Sequence, residues 1–161
     1  MQCFYYPLSF LFLIMLQGCT TTNGYSDPQG PATSVATLKG QMDMKSLFEF
    51  TAVSVEAIDE RRVPFVRRGT LYKFKLAPGK HKILVDGGFN NGFGPDCPCE
   101  ARLVVIGDFK AGREYRLKGS VKDNRMLAWI EDLVTSERVS NIASEPYVTS
   151  PKDNYIPIFV N

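Results

Sequence analysis

Cys97 and Cys99 carry the most reactive side chains expected in the folded part of the chain. One residue separates them, in a Gly-, Pro- and Asn-rich segment (87–100). A bond between them would close a tight, strained ring that is comparatively easy to reduce. Three interpretations stay open: a disulfide within the loop or between copies, a thiol–disulfide exchange site, and a copper(I) site completed by His81 or Met126. We favour the disulfide, because no neighbouring cation or helix start is evident that would activate a thiol.

A different chemistry is expected at Cys19. The apolar run from Leu8 to Leu16 is far shorter than the roughly 20 residues of a membrane-spanning helix, and it fits a signal peptide. The run ends in Leu16-Gln17-Gly18-Cys19, which resembles the lipobox of bacterial lipoproteins, so Cys19 is the expected site of lipidation. Position 20 holds Thr and not the Asp of the known sorting signal, so the same resemblance implies the outer membrane. A cleaved signal without lipid and a buried N-terminal strand are the alternatives, since no Lys or Arg precedes the run.

Four segments follow from this pattern. We predict a lipoprotein signal peptide (1–18), the acylated Cys and a flexible tether (19–34), a β-sandwich domain (35–140) and an extended tail packing on the sandwich (141–161). The chain of 161 residues has 19 basic and 17 acidic side chains. That length and charge balance suit one globular domain and disfavour nucleic acid as a partner.

Period-two alternation of apolar residues predicts the fold class. Residues 71–76 alternate cleanly, and the turn-forming residues 77–80 predict a hairpin with residues 81–85. The 48–58 segment predicts a strand with a bulge between Phe50 and Val53, where the apolar phase changes. About seven such short strands separated by turns indicate an all-β, antiparallel β-sandwich, with Trp129 expected in its core.

A run of cations lies between Arg61 and Lys82, with eight basic and no acidic residues. If the alternating strands share an outer sheet face, a basic face forms that could contact lipid headgroups, lipopolysaccharide phosphates or an acidic protein. A solvated sheet face is the plainer alternative. The residues predicted for this face are Arg67, Arg68, Lys73, Lys75, Lys82, Arg116 and Lys118.

Signatures of enzymes are missing from the sequence. It has one His, no G-x-S-x-G nucleophile turn, and no Lys-Ser/Thr closing its glycine-rich segment. We therefore predict no catalytic residue, no metal site and no cofactor.

Four short segments carry a resemblance to a known group of proteins. In order along the chain they are Ala36-Thr37-Leu38-Lys39-Gly40, Leu76-Ala77-Pro78-Gly79-Lys80-His81, Ala111-Gly112-Arg113-Glu114-Tyr115 and Trp129-Ile130-Glu131-Asp132. Together with the lipobox they resemble small bacterial outer-membrane lipoproteins of unknown function, whose sandwich is similar to PEGA and transthyretin-like domains. The resemblance covers 33–139 and implies fold and location, but no catalytic residues.

These observations predict a lipid-anchored module on the periplasmic side of the outer membrane. We expect a non-enzymatic binding or structural role, with the membrane and an envelope protein or glycan as partners and no nucleic acid. One alternative is a thiol–disulfide or soft-metal-handling lipoprotein that uses Cys97 and Cys99. Another is a lipoprotein component of a secretion assembly.

Overall fold

The computed structural model describes residues 24–46, 48–91 and 98–149. Within these ranges, two 3₁₀ turns lie at Ala32–Ser34 and Phe65–Arg67. Among the described residues, no helix is long and apolar enough to cross a membrane. The strands are β1 (Ala36–Lys39), β2 (Gln41–Met44), β3 (Glu49–Ile58), β4 (Arg61–Arg62), β5 (Lys73–Leu76), β6 (Gly79–Asn91), β7 (Cys99–Phe109), β8 (Glu114–Lys122), β9 (Arg125–Asp132), β10 (Ala143–Pro146) and β11 (Val148–Thr149).

The strands form two sheets, which confirms the predicted all-β sandwich. Sheet A has the order β10-β9-β8-β1-β5, and sheet B has the order β11-β7-β6-β3-β2, with β4 also paired to β3. All pairs are antiparallel except β1 with β8, which is parallel. The described residues contain eleven strands where about seven were expected. Six of the eleven have only two to four residues, and five of these six lie at sheet edges.

Alternating side chains build the core between the sheets. Every second residue of β7 is buried, from Cys99 to Phe109. The ring of Phe109 meets Tyr115 of β8 edge to face, with centroids 5.0 Å apart, and the Tyr115 hydroxyl accepts a hydrogen bond from the Lys110 amide at 2.9 Å. Fully burying one such side chain contributes about 1.5 to 3 kcal/mol, so this pair ties the two sheets together.

The hairpin predicted across residues 77–80 is wrong. The strand before the turn, β5, pairs with β1 in sheet A, whereas the strand after it, β6, pairs with β3 and β7 in sheet B. The chain crosses from one sheet to the other, and Phe74 and Ile83 both point into the core from opposite sides. A turn sequence shows that the chain reverses, but not that the flanking strands bond to each other.

The bulge in β3 is present, but at a different position. The register with β6 is continuous from Glu49 to Val55 and shifts between Val55 and Ala57. The change of phase seen at Phe50 has another cause, since this ring lies in a groove on the outer face of sheet B. Glu56, at the shift, is buried, and one of its carboxylate oxygens lies 3.1 Å from Nε of Arg102.

The segments on both sides of the predicted sandwich domain contact it. In the described part of the predicted tether, the Tyr25 amide donates to the Arg62 carbonyl at 2.8 Å. The Tyr25 hydroxyl donates to the Lys75 carbonyl. Asp27 forms an ion pair with Arg67 at 2.8 Å. In the predicted tail, β10 extends sheet A and β11 extends sheet B. Residues 150–161 and the predicted signal peptide lie outside the described residues.

Candidate functional site

Cys99 is a disulfide-bonded residue at the start of β7. It is 2% exposed and lies opposite Phe89 of β6 and Thr149 of β11. Cys97 and Cys19, the predicted acylation site, lie outside the described residues, so the acylation and the pairing of Cys97 with Cys99 stay predictions.

A shallow groove adjoins Cys99 on the outer face of sheet B. Its cavity volume is about 180 Å³, and Phe50, Asp86 and Glu100 line it. Burial raises the pKa of Asp86, and the carboxylates of Glu56 and Glu100 raise it further, while Arg102 opposes them. The groove is smaller than the roughly 300 to 1,000 Å³ of typical ligand sites, so we do not assign it a ligand.

His81, considered above as a copper ligand, has both ring nitrogens engaged. Nδ1 lies 2.6 Å from a carboxylate oxygen of Asp59, and Nε2 lies 2.8 Å from the Ala77 carbonyl. The ring therefore bridges the turn after β3 and the turn before β6. Burial of Asp59 opposes its charge, but hydrogen bonds from the Lys82 amide and His81 outweigh burial and lower the pKa of Asp59. The histidine therefore holds the crossing between β5 and β6. Among the described residues, no group of three His, Cys, Asp or Glu side chains is placed to bind a metal.

Four of the predicted cations come together on the outer face of sheet A. Lys73 and Lys75 of β5, and Arg116 and Lys118 of β8, all alternate with buried neighbours. Strand β1 lies between these strands, and its Lys39 points to the same face. We call these five side chains the basic face.

Lys39 was missed by the sequence analysis, although it is at the centre of the basic face. Its Cα is directly opposite Lys73 on one side and Arg116 on the other. Adjacent strands are about 4.8 Å apart, and like charges placed directly opposite destabilise a sheet. Lys73 has a long contact of 3.8 Å with Glu114, whereas Lys39 and Arg116 form no ion pair within the described ranges.

An aromatic side chain borders the basic face. Trp129 of β9 is opposite Lys118, and its Nε1 donates to a Glu131 carboxylate oxygen at 2.6 Å. The expectation that Trp129 is a core residue is wrong, because the inward positions of β9 belong to Met126, Ala128 and Ile130. With an indole beside a row of cations, a ligand can stack on the ring and also bind to the charges.

Three of the predicted cations lie elsewhere. Lys82 is on β6 in sheet B, with its amine 3.6 Å from Glu60, so its assignment to the basic face is wrong. That error follows from the hairpin, because β5 and β6 belong to different sheets. Arg67 and Arg68 lie between β4 and β5, where Arg67 stacks 5.0 Å above the Phe74 ring and Arg68 donates to the Val63 carbonyl.

The fold and these surfaces define an all-β sandwich with a cluster of five cations on the outer face of sheet A, where Glu114 and Glu131 also lie. Comparison of the chain with protein-family models, with curated proteins and with solved structures finds no match. The functional assignment therefore depends on the residues themselves.

Proposed function

We propose that this chain is a membrane-anchored lipoprotein of the cell envelope, acylated at Cys19, that acts as a non-enzymatic binding module. It binds an anionic envelope partner, a protein or a glycan, through the basic face on sheet A. The anchor is proposed from the lipobox-like sequence at 16–19, and the periplasmic side of the outer membrane from Thr20.

One observation carries the binding proposal. Lys73, Lys39 and Arg116 lie side by side on three adjacent strands. This arrangement weakens the isolated sheet, whereas a bound carboxylate, phosphate or sulfate would neutralise the repulsion. The five side chains of the face are lysines and one arginine, which are suited to holding anions by charge and hydrogen bonds.

Neutralising the basic face tests this proposal. Lys39→Gln with Arg116→Gln should abolish salt-sensitive cross-linking of the protein to its envelope partner in the native host. The matched control, Lys80→Gln with Lys82→Gln, removes two cations from sheet B and should leave the cross-linked species intact. Thermal unfolding of both double variants checks that each is folded. Equal recovery of the partner with both variants, or recovery of the protein alone from wild-type cells, would contradict the proposal.

The thiol-disulfide and soft-metal alternative has weaker support. Its described cysteine, Cys99, is disulfide-bonded and buried, and His81 has both nitrogens engaged. Titration of free thiols before and after mild reduction separates the two roles: cysteines that resist mild reductant exclude the alternative. No described feature favours the secretion-assembly alternative, which co-purification after cross-linking would reveal.

A further inference from the structure

The loop between β4 and β5 exposes an unusual amount of apolar side chain. Phe65 is 78% exposed, Val66 74% and Leu71 91%, and Tyr72 follows with about half of its surface exposed. We call residues 65–72 the apolar loop. Single exposed apolar residues are ordinary, but several large ones within one short loop indicate a contact surface.

Cations surround the apolar loop. Arg61 and Arg62 precede it, Arg68 lies within it, and Lys73 and Lys75 follow it, all of them exposed. No acidic residue occurs between Arg61 and Lys82. Apolar side chains surrounded by cations are suited to a bilayer surface. The apolar groups insert at the boundary of the acyl chains, and the cations contact the lipid phosphates.

Hydrogen bonds hold the loop in shape. The amides of Arg67 and Arg68 donate to the carbonyls of Pro64 and Phe65 at 2.9 and 3.0 Å, which forms a 3₁₀ turn. The guanidinium of Arg68 donates to the Val63 carbonyl at 3.1 Å, and the Val63 side chain is buried in the core. These hydrogen bonds fix the conformation of the turn that exposes Phe65 and Val66.

The N-terminal segment is tied to the same side of the sandwich. A nitrogen of Arg67, inside the apolar loop, donates to both oxygens of Asp27 at 2.8 and 2.9 Å. The Tyr25 amide donates to the Arg62 carbonyl. Five residue steps separate Gly24 from Cys19, and a fully extended chain of that length spans at most about 18 Å. A lipid on Cys19 therefore keeps this side of the sandwich close to the bilayer.

We propose that the apolar loop is a second membrane contact. Phe65, Val66 and Leu71 enter the interface of the bilayer that holds the acyl chains of Cys19, and the surrounding cations contact lipid phosphates. The inference depends on the proposed lipid anchor for its orientation. Lys73 and Lys75, at the β5 edge of the basic face, are shared with this contact, while Lys39, Arg116 and Lys118 on β1 and β8 stay available to a partner.

Quenching of an introduced indole tests the contact. Val66 and Val134 are matched in type and exposure, at 74% and 75%, and Val134 lies in the turn after β9. Val66→Trp and Val134→Trp are each made in the Trp129→Phe background of the full chain. Protein extracted from host membranes is reconstituted into phosphatidylethanolamine–phosphatidylglycerol vesicles with brominated acyl chains. The indole at position 66 should lose most of its fluorescence and shift to the blue, while the indole at 134 should keep both intensity and wavelength.

Unquenched fluorescence at position 66, or equal quenching at both positions, overturns the proposal and leaves a protein partner as the occupant of the loop. Leu71→Trp repeats the test if Val66→Trp does not fold. The intact mass of each preparation reports acylation separately. An acylated protein without quenching refutes the membrane contact and retains the anchor, whereas a quenched protein without acyl chains supports the contact and refutes the anchor.

Discussion

Neutralising Lys39 should stabilise the protein, which is the opposite of what most substitutions do. Its charge is flanked by those of Lys73 and Arg116 on the adjacent strands. Two unit charges about 6 Å apart repel each other by roughly 0.7 kcal/mol in water, and salt at 0.1 M screens part of this. For two neighbours we expect Lys39→Gln to raise the free energy of unfolding by about 0.5 to 1 kcal/mol, in line with measured cross-strand pairs.

Urea unfolding at 10 mM and at 1 M salt measures the effect. The gain should be largest at low salt and nearly vanish at 1 M, where the screening length falls to about 3 Å. Lys80→Gln is the matched control, because Lys80 lies opposite Asp108 on β7 and its loss should be neutral or slightly destabilising. If Lys39→Gln destabilises the protein at low salt, or if its effect is independent of salt, the row of cations is not repulsive and a bound anion would relieve no repulsion there.

Three further predictions concern one buried and two partly buried residues. Burial opposes the charge of Asp132, but the amides of Thr135 and Val134 and the Arg113 guanidinium lower its pKa. Asp132→Asn should therefore lower the free energy of unfolding in urea by about 1 to 3 kcal/mol at neutral pH. This difference from wild type should shrink as the pH falls below about 4. A difference that stays constant with pH would contradict a role for the Asp132 charge. Burial and the carboxylates of Asp27 and Asp59 raise the pKa of Tyr25 to about 12, so one tyrosine should ionise late in an ultraviolet titration. The free energy of unfolding should fall between pH 10 and 12, because the unfolded chain loses this proton first. Tyr25→Phe should remove the late transition. A Cβ at Gly119 would lie 2.5 Å from a methyl carbon of Val53, whereas the nearest atom to a Cβ at Gly88 is 3.9 Å away. Gly119→Ala should therefore lower the unfolding midpoint, and Gly88→Ala should not. Similar midpoints for the two variants would contradict the close packing at Gly119.

The parts of the fold that were predictable depend on local pattern. The alternation in β7 identifies its buried face, and the pair Asp123-Asn124 predicts the turn between β8 and β9. Both residues have positive φ, 51° and 57°, which a two-residue hairpin requires and which Asp and Asn tolerate. These features need no information from distant residues.

The errors concern which strands pair. The turn at 77–80 and the alternation around it are compatible with a hairpin or with a crossing between sheets, and long-range pairing of β5 with β1 decides between them. The misplacement of Lys82 follows directly. The importance of Lys39 was hidden for the same reason, because its neighbours Lys73 and Arg116 come from distant parts of the sequence and meet only through the register of three strands.

The position of β1 also sets the order in which the chain completes its fold. This strand comes early in the sequence but lies inside sheet A, between β5 and the much later β8. Pairing between distant segments is slow because loop closure comes before the contacts that compensate for it. During synthesis from the N-terminus, Leu38 and the other apolar residues of β1 stay without their final neighbours until residues 114–116 have emerged. A chain stopped before β8 therefore exposes an unpaired strand edge, and such species aggregate or require a chaperone.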